Sequence, residues 1–327
     1  MIKGRATPKG TARYHKRLSS AANAARDCQG LCLSSIGIGT YGVSRNRDTD
    51  REQTESLILG LSAGFNLIDT APNYFDGAAE INVGRAIRHC VENGLAERDE
   101  IFVATKAGLL QNAEIAGGKY YNFDPGCLRQ SIENSLNRLG LESADCVFLH
   151  NLEILKAENG EVFAEKFAEI SGTMEEAVGT GAIRAWGVSS WSGFRVPPGL
   201  PEYLNLNESR ELAGSSFQYL QFPFGLWAPE AATEKYQDGR SLFESAKGLT
   251  LFGNAALLQG ELLPALEKYA ITAEDAVLFA GDAPGIGAIL LGVTNPAHMK
   301  EWIRARRNWK RVDARELVGE IWNKLKE

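Results

Sequence analysis

The segment Ile101-Phe-Val-Ala-Thr-Lys106 is a short apolar run that ends on a lysine. Asp145-Cys-Val-Phe-Leu-His150 is a second such run and ends on a histidine. Short strands of this composition are normally buried on both faces and exclude charged side chains. In a parallel β/α barrel, however, the carboxyl ends of the strands form the rim where chemistry takes place. The two runs therefore predict barrel strands that carry functional residues at their ends.

A third run supplies two more polar residues of the same kind. Phe65-Asn-Leu-Ile-Asp69 ends on an acid, and Tyr74 follows five residues later. Strand ends of a parallel barrel meet at one rim, so we expect Asp69, Tyr74, Lys106 and His150 to lie close together. A tyrosine beside a lysine, a histidine and a carboxylate is typical of a proton donor with a tuned pKa.

Strand-like and helix-like stretches alternate along the chain, as they do in a parallel sheet with crossover helices. Two helix starts are well marked: Asp124-Pro125 as N-cap and first residue, and Thr272-Ala-Glu-Asp275 as a capping box with Asp in place of Glu. We predict a single (β/α)8 TIM barrel at 31–327, preceded by an N-terminal arm at 1–30. The eight predicted strands are 32–38, 65–69, 101–105, 145–149, 183–188, 217–221, 249–253 and 286–291.

Composition narrows the function classes. The chain has 327 residues, with 44% hydrophobic and 23% charged residues, as in ordinary globular proteins. A net charge of −6 offers no general attraction for nucleic acid or anionic membrane. No apolar run approaches the roughly 20 residues of a membrane helix. The five scattered cysteines predict core thiols, no metal site and a reducing cytoplasmic location.

The first 26 residues have a composition of their own. They contain Lys3, Arg5, Lys9 and further basic residues, and no acidic residue precedes Asp27. Such a segment suits an organellar transit peptide, which stays an open alternative. The interpretation we favour is an arm packed outside the barrel, on the face opposite the rim, where chain enters the first strand.

The sequence resembles the aldo-keto reductase family around each of these strand ends. Asp69-Thr-Ala-Pro-Asn-Tyr74, followed by Glu80-Ile-Asn-Val-Gly84, is similar to the family signature, and Val103-Ala-Thr-Lys106 and Phe148-Leu-His150-Asn151 match the lysine and histidine strands. The resemblance implies reduction of a small aldehyde or ketone with NADPH or NADH. It also implies the catalytic set Asp69, Tyr74, Lys106 and His150.

Each of the four residues has an expected role. Tyr74 would donate the proton, although an unperturbed phenol with a pKa near 10 is a weak acid at neutral pH. The charge of Lys106 would lower that pKa, and Asp69 would keep Lys106 charged. His150 would hydrogen-bond the substrate oxygen and orient it towards Tyr74.

A glycine-rich segment offers a competing fold. Gly37-Ile-Gly39-Thr-Tyr-Gly42 fits the dinucleotide-binding pattern of a Rossmann fold. That fold requires a helix directly after the glycines and an acidic residue about 20 positions later. Here a polar stretch follows, and the helix is predicted only near Thr49. The glycines are more similar to the end of the first barrel strand in aldo-keto reductases, where the main chain passes under the cofactor.

The resemblance implies a cofactor site made from several strand ends. The match is looser here: Ser190 stands where the family often has Asn, and Asn254 stands where relatives often stack an aromatic ring on the nicotinamide. The cations that relatives commonly use to hold the 2′-phosphate are replaced around His298, so we expect little discrimination between NADPH and NADH. The predicted cofactor-binding residues are Gly39, Thr40, Asp69, Ser189, Ser190, Gln218, Asn254, Gly292, Asn295 and His298.

Three long connections, at 107–123, 190–216 and 222–240, should emerge at the rim and wall a substrate pocket. Tyr41 and Trp191 are the predicted pocket residues. The alternatives to a reductase are a cofactor-binding regulatory subunit with negligible turnover and a non-redox lyase or epimerase on the same scaffold. Neither the substrate nor the oligomeric state is predicted from the sequence.

Overall fold

The computed structural model of the protein describes residues 1–18, 25–42, 47–111 and 120–307. Before the barrel, the strands β1 (Ala25–Cys28) and β2 (Leu31–Ser34) form an antiparallel hairpin. The barrel itself consists of β3 (Ile36–Gly39), β4 (Leu67–Asp69), β5 (Phe102–Ala107), β6 (Ala144–His150), β7 (Ile183–Ser189), β8 (Phe217–Pro223), β9 (Thr250–Asn254) and β10 (Ile286–Gly292).

Each barrel strand pairs in parallel with the next along the chain, and β10 pairs with β3 to close the barrel. The predicted (β/α)8 fold is therefore confirmed, and the Rossmann alternative is wrong. The predicted first strand, 32–38, is in fact two strands that meet at Ser35. The sequence showed a single apolar run because Leu31 and Leu33 of β2 are buried and all of β3 is buried. The hydrophobic pattern therefore did not mark the boundary between the two strands.

Helices lie between the strands. Pro125 is the first residue of its helix as predicted, and Leu128, Ile132, Leu136 and Leu139 are buried on one face. The Thr272 hydroxyl accepts a hydrogen bond from the Asp275 amide, which confirms the predicted capping box. The helices are α1 (Pro8–Leu18), α2 (Arg47–Ser62), α3 (Ala78–Glu92), α4 (Pro125–Leu139), α5 (Leu152–Asn159), α6 (Phe163–Gly179), α7 (Leu206–Leu212), α8 (Glu230–Thr233), α9 (Leu242–Ser245), α10 (Leu263–Lys268), α11 (Ala273–Gly281) and α12 (Pro296–Arg307).

Aromatic rings fill the inside of the barrel. Phe102, Phe148, Tyr219 and Phe252 are fully buried and contact one another, with the centroids of Tyr219 and Phe252 5.6 Å apart. The hairpin residues Leu31 and Leu33 belong to the same cluster. This packing fills the barrel below the rim and leaves the carboxyl ends of the strands for polar side chains.

The N-terminal arm packs beneath and beside the barrel. The side chain of Gln29, in the hairpin turn, donates to the carbonyl of Gly248, which precedes β9. Its position confirms the expected location opposite the rim. Helix α1 is anchored by the fully buried Tyr14, and Arg13 and Arg17 pair with the buried Glu100. Residues 19–24 of the arm lie outside the described residues, and the division into a 1–30 arm and a 31–327 barrel stays a prediction.

Candidate active site

Lys106 lies at the centre of the site, one residue before the end of β5. Its ammonium nitrogen Nζ donates to Asp69 Oδ2 at 2.7 Å, to Tyr74 Oη at 3.0 Å and to the Thr70 carbonyl at 3.0 Å. The residue is 1% exposed. An ammonium group has three donors, so all three hydrogen bonds of Lys106 are used inside the protein.

A relay of hydrogen bonds fixes the carboxylate that faces Lys106. Asp69 Oδ1 accepts from Gln221 Nε2 at 2.8 Å, and Gln221 Oε1 accepts from Ser189 Oγ at 2.8 Å. The strand ends of β4, β5, β7 and β8 are thereby tied together in one chain of contacts that ends at Tyr74. Because both carboxylate oxygens are bonded, the orientation of Asp69 is fixed.

The position predicted for Gln218 is wrong. Gln218 is the second residue of β8, near the amino end of the strand, where its carbonyl faces Gln29 of the hairpin. Gln221, three residues later, pairs with Ser189 and lies at the rim. A strand rises about 3.3 Å per residue, so the two glutamines lie about 10 Å apart along the strand. The rule that rim residues end their strands would have selected Gln221.

Burial and charge set the ionisation of the pair formed by Lys106 and Tyr74. Burial acts to lower the pKa of Lys106, but the carboxylate of Asp69 and the Tyr74 hydroxyl outweigh it, so this pKa is raised and the lysine stays charged. Burial raises the pKa of Tyr74, and the charge of Lys106 opposes this effect without overcoming it. The expected net lowering of the Tyr74 pKa is therefore wrong: Tyr74 is a neutral phenol that a fixed ammonium group polarises.

His150 ends β6 and lies beside the tyrosine. The centroids of the His150 and Tyr74 rings are 6.2 Å apart, with their planes at 80°. Burial, together with the charge of Lys106, holds the pKa of His150 well below its usual value, so the imidazole is neutral. A neutral imidazole next to a phenol can donate one hydrogen bond without competing for the proton.

The backbone after Tyr74 is unusual. Phe75 and Asp76 both have positive φ, at 50° and 54°, and Gly77 follows at 86°. Consecutive non-glycine residues in the left-handed region are rare and persist only where surrounding contacts hold them. Earlier in the same connection, the Pro72 carbonyl accepts from Gln111 Nε2 at 2.9 Å. Just before this segment, Lys106 Nζ lies 4.6 Å from the centroid of the Tyr74 ring.

Most of the predicted cofactor residues come together at the rim. Gly39, Ser189, Asn254 and Gly292 end their strands, and Thr40 and Ser190 directly follow theirs. Thr40 donates from its amide and its hydroxyl to the Asp69 carbonyl. Asn295 caps the start of α12 through a bond from the Ala297 amide, and His298 is exposed on that helix. These last two lie at the outer edge of the site.

Two buried polar atoms at the rim bear on whether a nicotinamide cofactor fits here. Asn254 Oδ1 and His150 Nδ1 are buried and have no hydrogen-bond partner within the described part of the chain. Buried polar atoms are normally paired, so unpaired ones at a strand end indicate a place for a polar ligand group. The donor and acceptor groups of Ser189, Ser190 and Asn254 are of the kind that a carboxamide requires.

Aromatic side chains flank the site. Tyr41 meets Tyr74 edge to face, with centroids 5.2 Å apart, and is 43% exposed. Trp191 is 45% exposed and contacts Trp227, which follows β8, at 6.0 Å. The Arg195 guanidinium lies 5.3 Å from the centroid of the Trp227 ring. Residues 112–119 of the first long connection, which include Gly117 and Gly118, lie outside the described residues.

Metal sites, membrane-spanning helices and disulfides are three further features that bear on function. Among the described residues, no group of three or more His, Cys, Asp or Glu side chains could hold a metal ion. A search of the same residues finds no helix of the length and apolarity needed to cross a membrane. All five cysteines are free thiols.

Comparison with known proteins relates the chain to one family. The model of the aldo/keto reductase family matches residues 35–196. The chain is 30% identical over 190 residues to an NADH-specific methylglyoxal reductase of Escherichia coli, covering 54% of this chain and 53% of that protein. It is 32% identical over 167 residues to the aldo-keto reductase YhdN of Bacillus subtilis, covering 50% and 45%. The matches thus span about half the length of these relatives.

Solved structures agree with the fold over nearly the whole chain. An aldo-keto reductase from Bacillus halodurans in its holo form superposes with a TM-score of 0.69 at 19% identity, covering 92% of this chain and 95% of that one. An aldo/keto reductase from Klebsiella pneumoniae, solved with NADP and acetate, gives a TM-score of 0.65 at 19% identity, covering 93% and 96%. At this level of identity the likeness establishes the fold.

Proposed function

With its place in the aldo-keto reductase family as the premise, we propose that this protein reduces an aldehyde or ketone to an alcohol with NADPH or NADH. The observation that carries the proposal is the contact of the Lys106 ammonium with both Asp69 and Tyr74, at 2.7 and 3.0 Å. That arrangement holds a neutral phenol against a permanent positive charge. The Tyr74 hydroxyl is thereby suited to donating a single proton.

The protein's own residues would handle the proton. Tyr74 donates it to the carbonyl oxygen of the substrate, and the phenolate that remains is stabilised by the hydrogen bond from Lys106. Asp69 keeps the lysine charged, and Gln221 keeps the carboxylate oriented. His150, neutral at this site, donates to the same substrate oxygen and orients it. Tyr74 then recovers a proton from solvent.

The nicotinamide cofactor, when bound, supplies the hydride that no side chain can. Ser189, Ser190 and Asn254 would hold its carboxamide, since they lie at the rim and Asn254 Oδ1 is buried with no partner among the described residues. Gly39, Thr40 and Gly292 would border it, and Asn295 and His298 would lie near its far end. Tyr41 and Trp191 would line the substrate pocket.

A cytoplasmic location and a small-molecule partner belong to the same proposal. The free cysteines suit a reducing compartment. The acidic net charge of −6 gives no reason to expect nucleic acid as a partner.

The purified protein, mixed with NADPH or NADH and nitrobenzaldehyde, tests the proposal. We expect oxidation of the cofactor together with formation of the alcohol in equal amounts. Cofactor binding without turnover, on this and a panel of other carbonyl compounds, would favour the regulatory subunit. Conversion of a substrate without oxidation of the cofactor would favour the lyase or epimerase.

A further inference from the structure

A buried carboxylate lies next to the site and takes no part in the mechanism above. Glu153 is the second residue of α5, three residues after His150, and is 2% exposed. No lysine, arginine or histidine lies within ion-pairing distance of Glu153 in the described part of the chain. Burying a carboxylate without a cation is costly, so its bonds to other groups must account for its presence.

The backbone hydrogen bonds of Glu153 go to one turn through Oε1, while its Oε2 is buried and has no hydrogen-bond partner among the described residues. Glu153 Oε1 accepts from the amide of Trp191 at 2.6 Å and from the amide of Ser192 at 3.0 Å. The turn is closed from within by the Gly193 amide, which donates to Ser190 Oγ at 2.9 Å. Burial raises the pKa of Glu153, and the amide donors together with the Ser190 hydroxyl oppose this effect without overcoming it. The carboxylate thus replaces the main-chain acceptors that the turn lacks.

The turn that Glu153 holds joins two parts of the candidate site. It begins directly at Ser189, whose hydroxyl bonds Gln221 and whose carbonyl accepts from the Asn151 amide at 2.6 Å. It contains the half-exposed Trp191 and ends at Ser192. Packing leaves the turn little freedom, since a Cβ at Gly193 would lie 2.8 Å from Leu204 and 3.0 Å from the Cβ of Glu153.

We infer that Glu153 is a positioning residue for the cofactor: its carboxylate fixes the Ser189–Ser192 turn, and the turn presents Ser189 and Ser190 to the nicotinamide end of NADPH or NADH and the Trp191 ring to the adjoining substrate pocket. The inference rests on the proposed reductase function. It predicts that changes at Glu153 act on cofactor binding more than on the chemical step, because Tyr74 and Lys106 make no direct hydrogen bond to this turn and are linked to it only through Ser189, Gln221 and Asp69.

A matched pair of variants separates positioning from stability. Glu175 also accepts a backbone amide at a strand end, that of Ser216 at 3.0 Å, and the indole of Trp186 at 2.8 Å. Ser216 precedes β8, so this second carboxylate lies at the opposite end of the barrel. Glu175 also accepts from the Ser216 hydroxyl at 2.9 Å, so Glu175→Leu removes at least as many hydrogen bonds as Glu153→Leu. Both variants should lower the melting temperature.

The measurement is the Kd of NADPH and of NADH, by quenching of protein fluorescence, for folded variants. We expect Glu153→Leu to raise the Kd by roughly tenfold or more, Glu153→Gln to restore it to within about threefold because an amide oxygen still accepts, and Glu175→Leu to leave it unchanged. The KM for the cofactor should rise while kcat falls less. If Glu153→Leu does not fold, Glu153→Asp, which retracts the acceptor by one methylene, should raise the Kd by a smaller factor.

The outcomes distinguish this inference from the proposed function. Wild-type-like cofactor affinity in a folded Glu153→Leu or Glu153→Asp protein overturns the positioning role, even in an active reductase. Equal loss of affinity in Glu175→Leu also overturns it, because the effect would then be one of stability. Tight cofactor binding by the wild type without any carbonyl reduction overturns the reductase function and leaves the role of Glu153 in binding intact.

Discussion

Lys106 Nζ and Asp69 Oδ2 are 2.7 Å apart in an environment that excludes water, with the two side chains 1% and 7% exposed. The pair keeps a positive charge next to Tyr74 at neutral pH. Lys106→Met should lower kcat by at least about 10²-fold, the lower range for loss of assisted proton transfer, and Asp69→Asn should lower it less. Breaking a buried pair also costs about 3–5 kcal/mol of the free energy of unfolding.

The pair formed by Arg98 and Asp145 provides the control for that experiment. It is equally buried, with 2.8 Å between Arg98 Nη2 and Asp145 Oδ2, and it lies away from the rim. Arg98→Met should destabilise the protein by a similar amount and leave kcat per folded molecule unchanged. An active and well-folded Lys106→Met enzyme would rule out the role of the lysine.

The pH profile of reduction should follow the two shifted groups. The pKa of Tyr74 is raised above its ordinary value of 10.0, so the phenol keeps its proton and the rate should decline only in strongly alkaline solution. The pKa of His150 lies well below 6.5, so no inflection should appear near that pH. Steady-state kcat/KM measured across the stable pH range checks both expectations. A decline in rate between pH 6 and pH 8 would contradict the neutral tyrosine.

The protein should discriminate little between NADPH and NADH. Beyond β10 the chain reads Gly292-Val-Thr-Asn-Pro296, and among the described side chains near the start of α12 the basic ones, His298, Lys300 and Arg304, are exposed. A charge-assisted phosphate contact contributes roughly 1.5–3 kcal/mol, or about ten- to a hundredfold in affinity. Without such a fixed contact, the Kd of NADH should lie within about tenfold of the Kd of NADPH. Fluorescence titration with both cofactors at pH 6 and pH 8 measures this, and a preference for NADPH above about a hundredfold at both pH values would contradict it.

The N-terminal arm should matter for stability and not for catalysis. Tyr14 is fully buried, and its hydroxyl donates to the Leu61 carbonyl at 2.5 Å, on the side of the molecule away from the rim. Tyr14→Ala should lower the free energy of unfolding by about 3–5 kcal/mol, as large aromatic truncations in cores do. Denaturant unfolding and kcat measured on the same samples test this. A loss of kcat in the folded variant would show that the arm communicates with the site.

Most of the candidate site could be predicted from the residues at the ends of the strands. Asp69, Lys106 and His150 end apolar runs, and in a parallel barrel such ends converge, so local pattern was enough to bring them together with Tyr74. Gln221 could have been predicted in the same way, because it ends the predicted strand 217–221, whereas Gln218 lies near the amino end of that strand. Glu153 was missed because its importance lies in bonds to Trp191 and Ser192, nearly 40 residues away in the chain. The positive φ of Phe75 and Asp76 was not predicted, because local preference disfavours that conformation for residues other than glycine.

The proton donor is the central claim, and Tyr74→Phe tests it most directly. The substitution removes one oxygen and keeps the ring against Tyr41 and His150. Single-turnover reduction of nitrobenzaldehyde, with the Kd of the cofactor measured on the same protein, is the decisive measurement. We predict a rate at least about 10²-fold below wild type with an unchanged Kd. A near-normal rate in Tyr74→Phe would contradict the account, because Lys106 would then have no phenol to polarise.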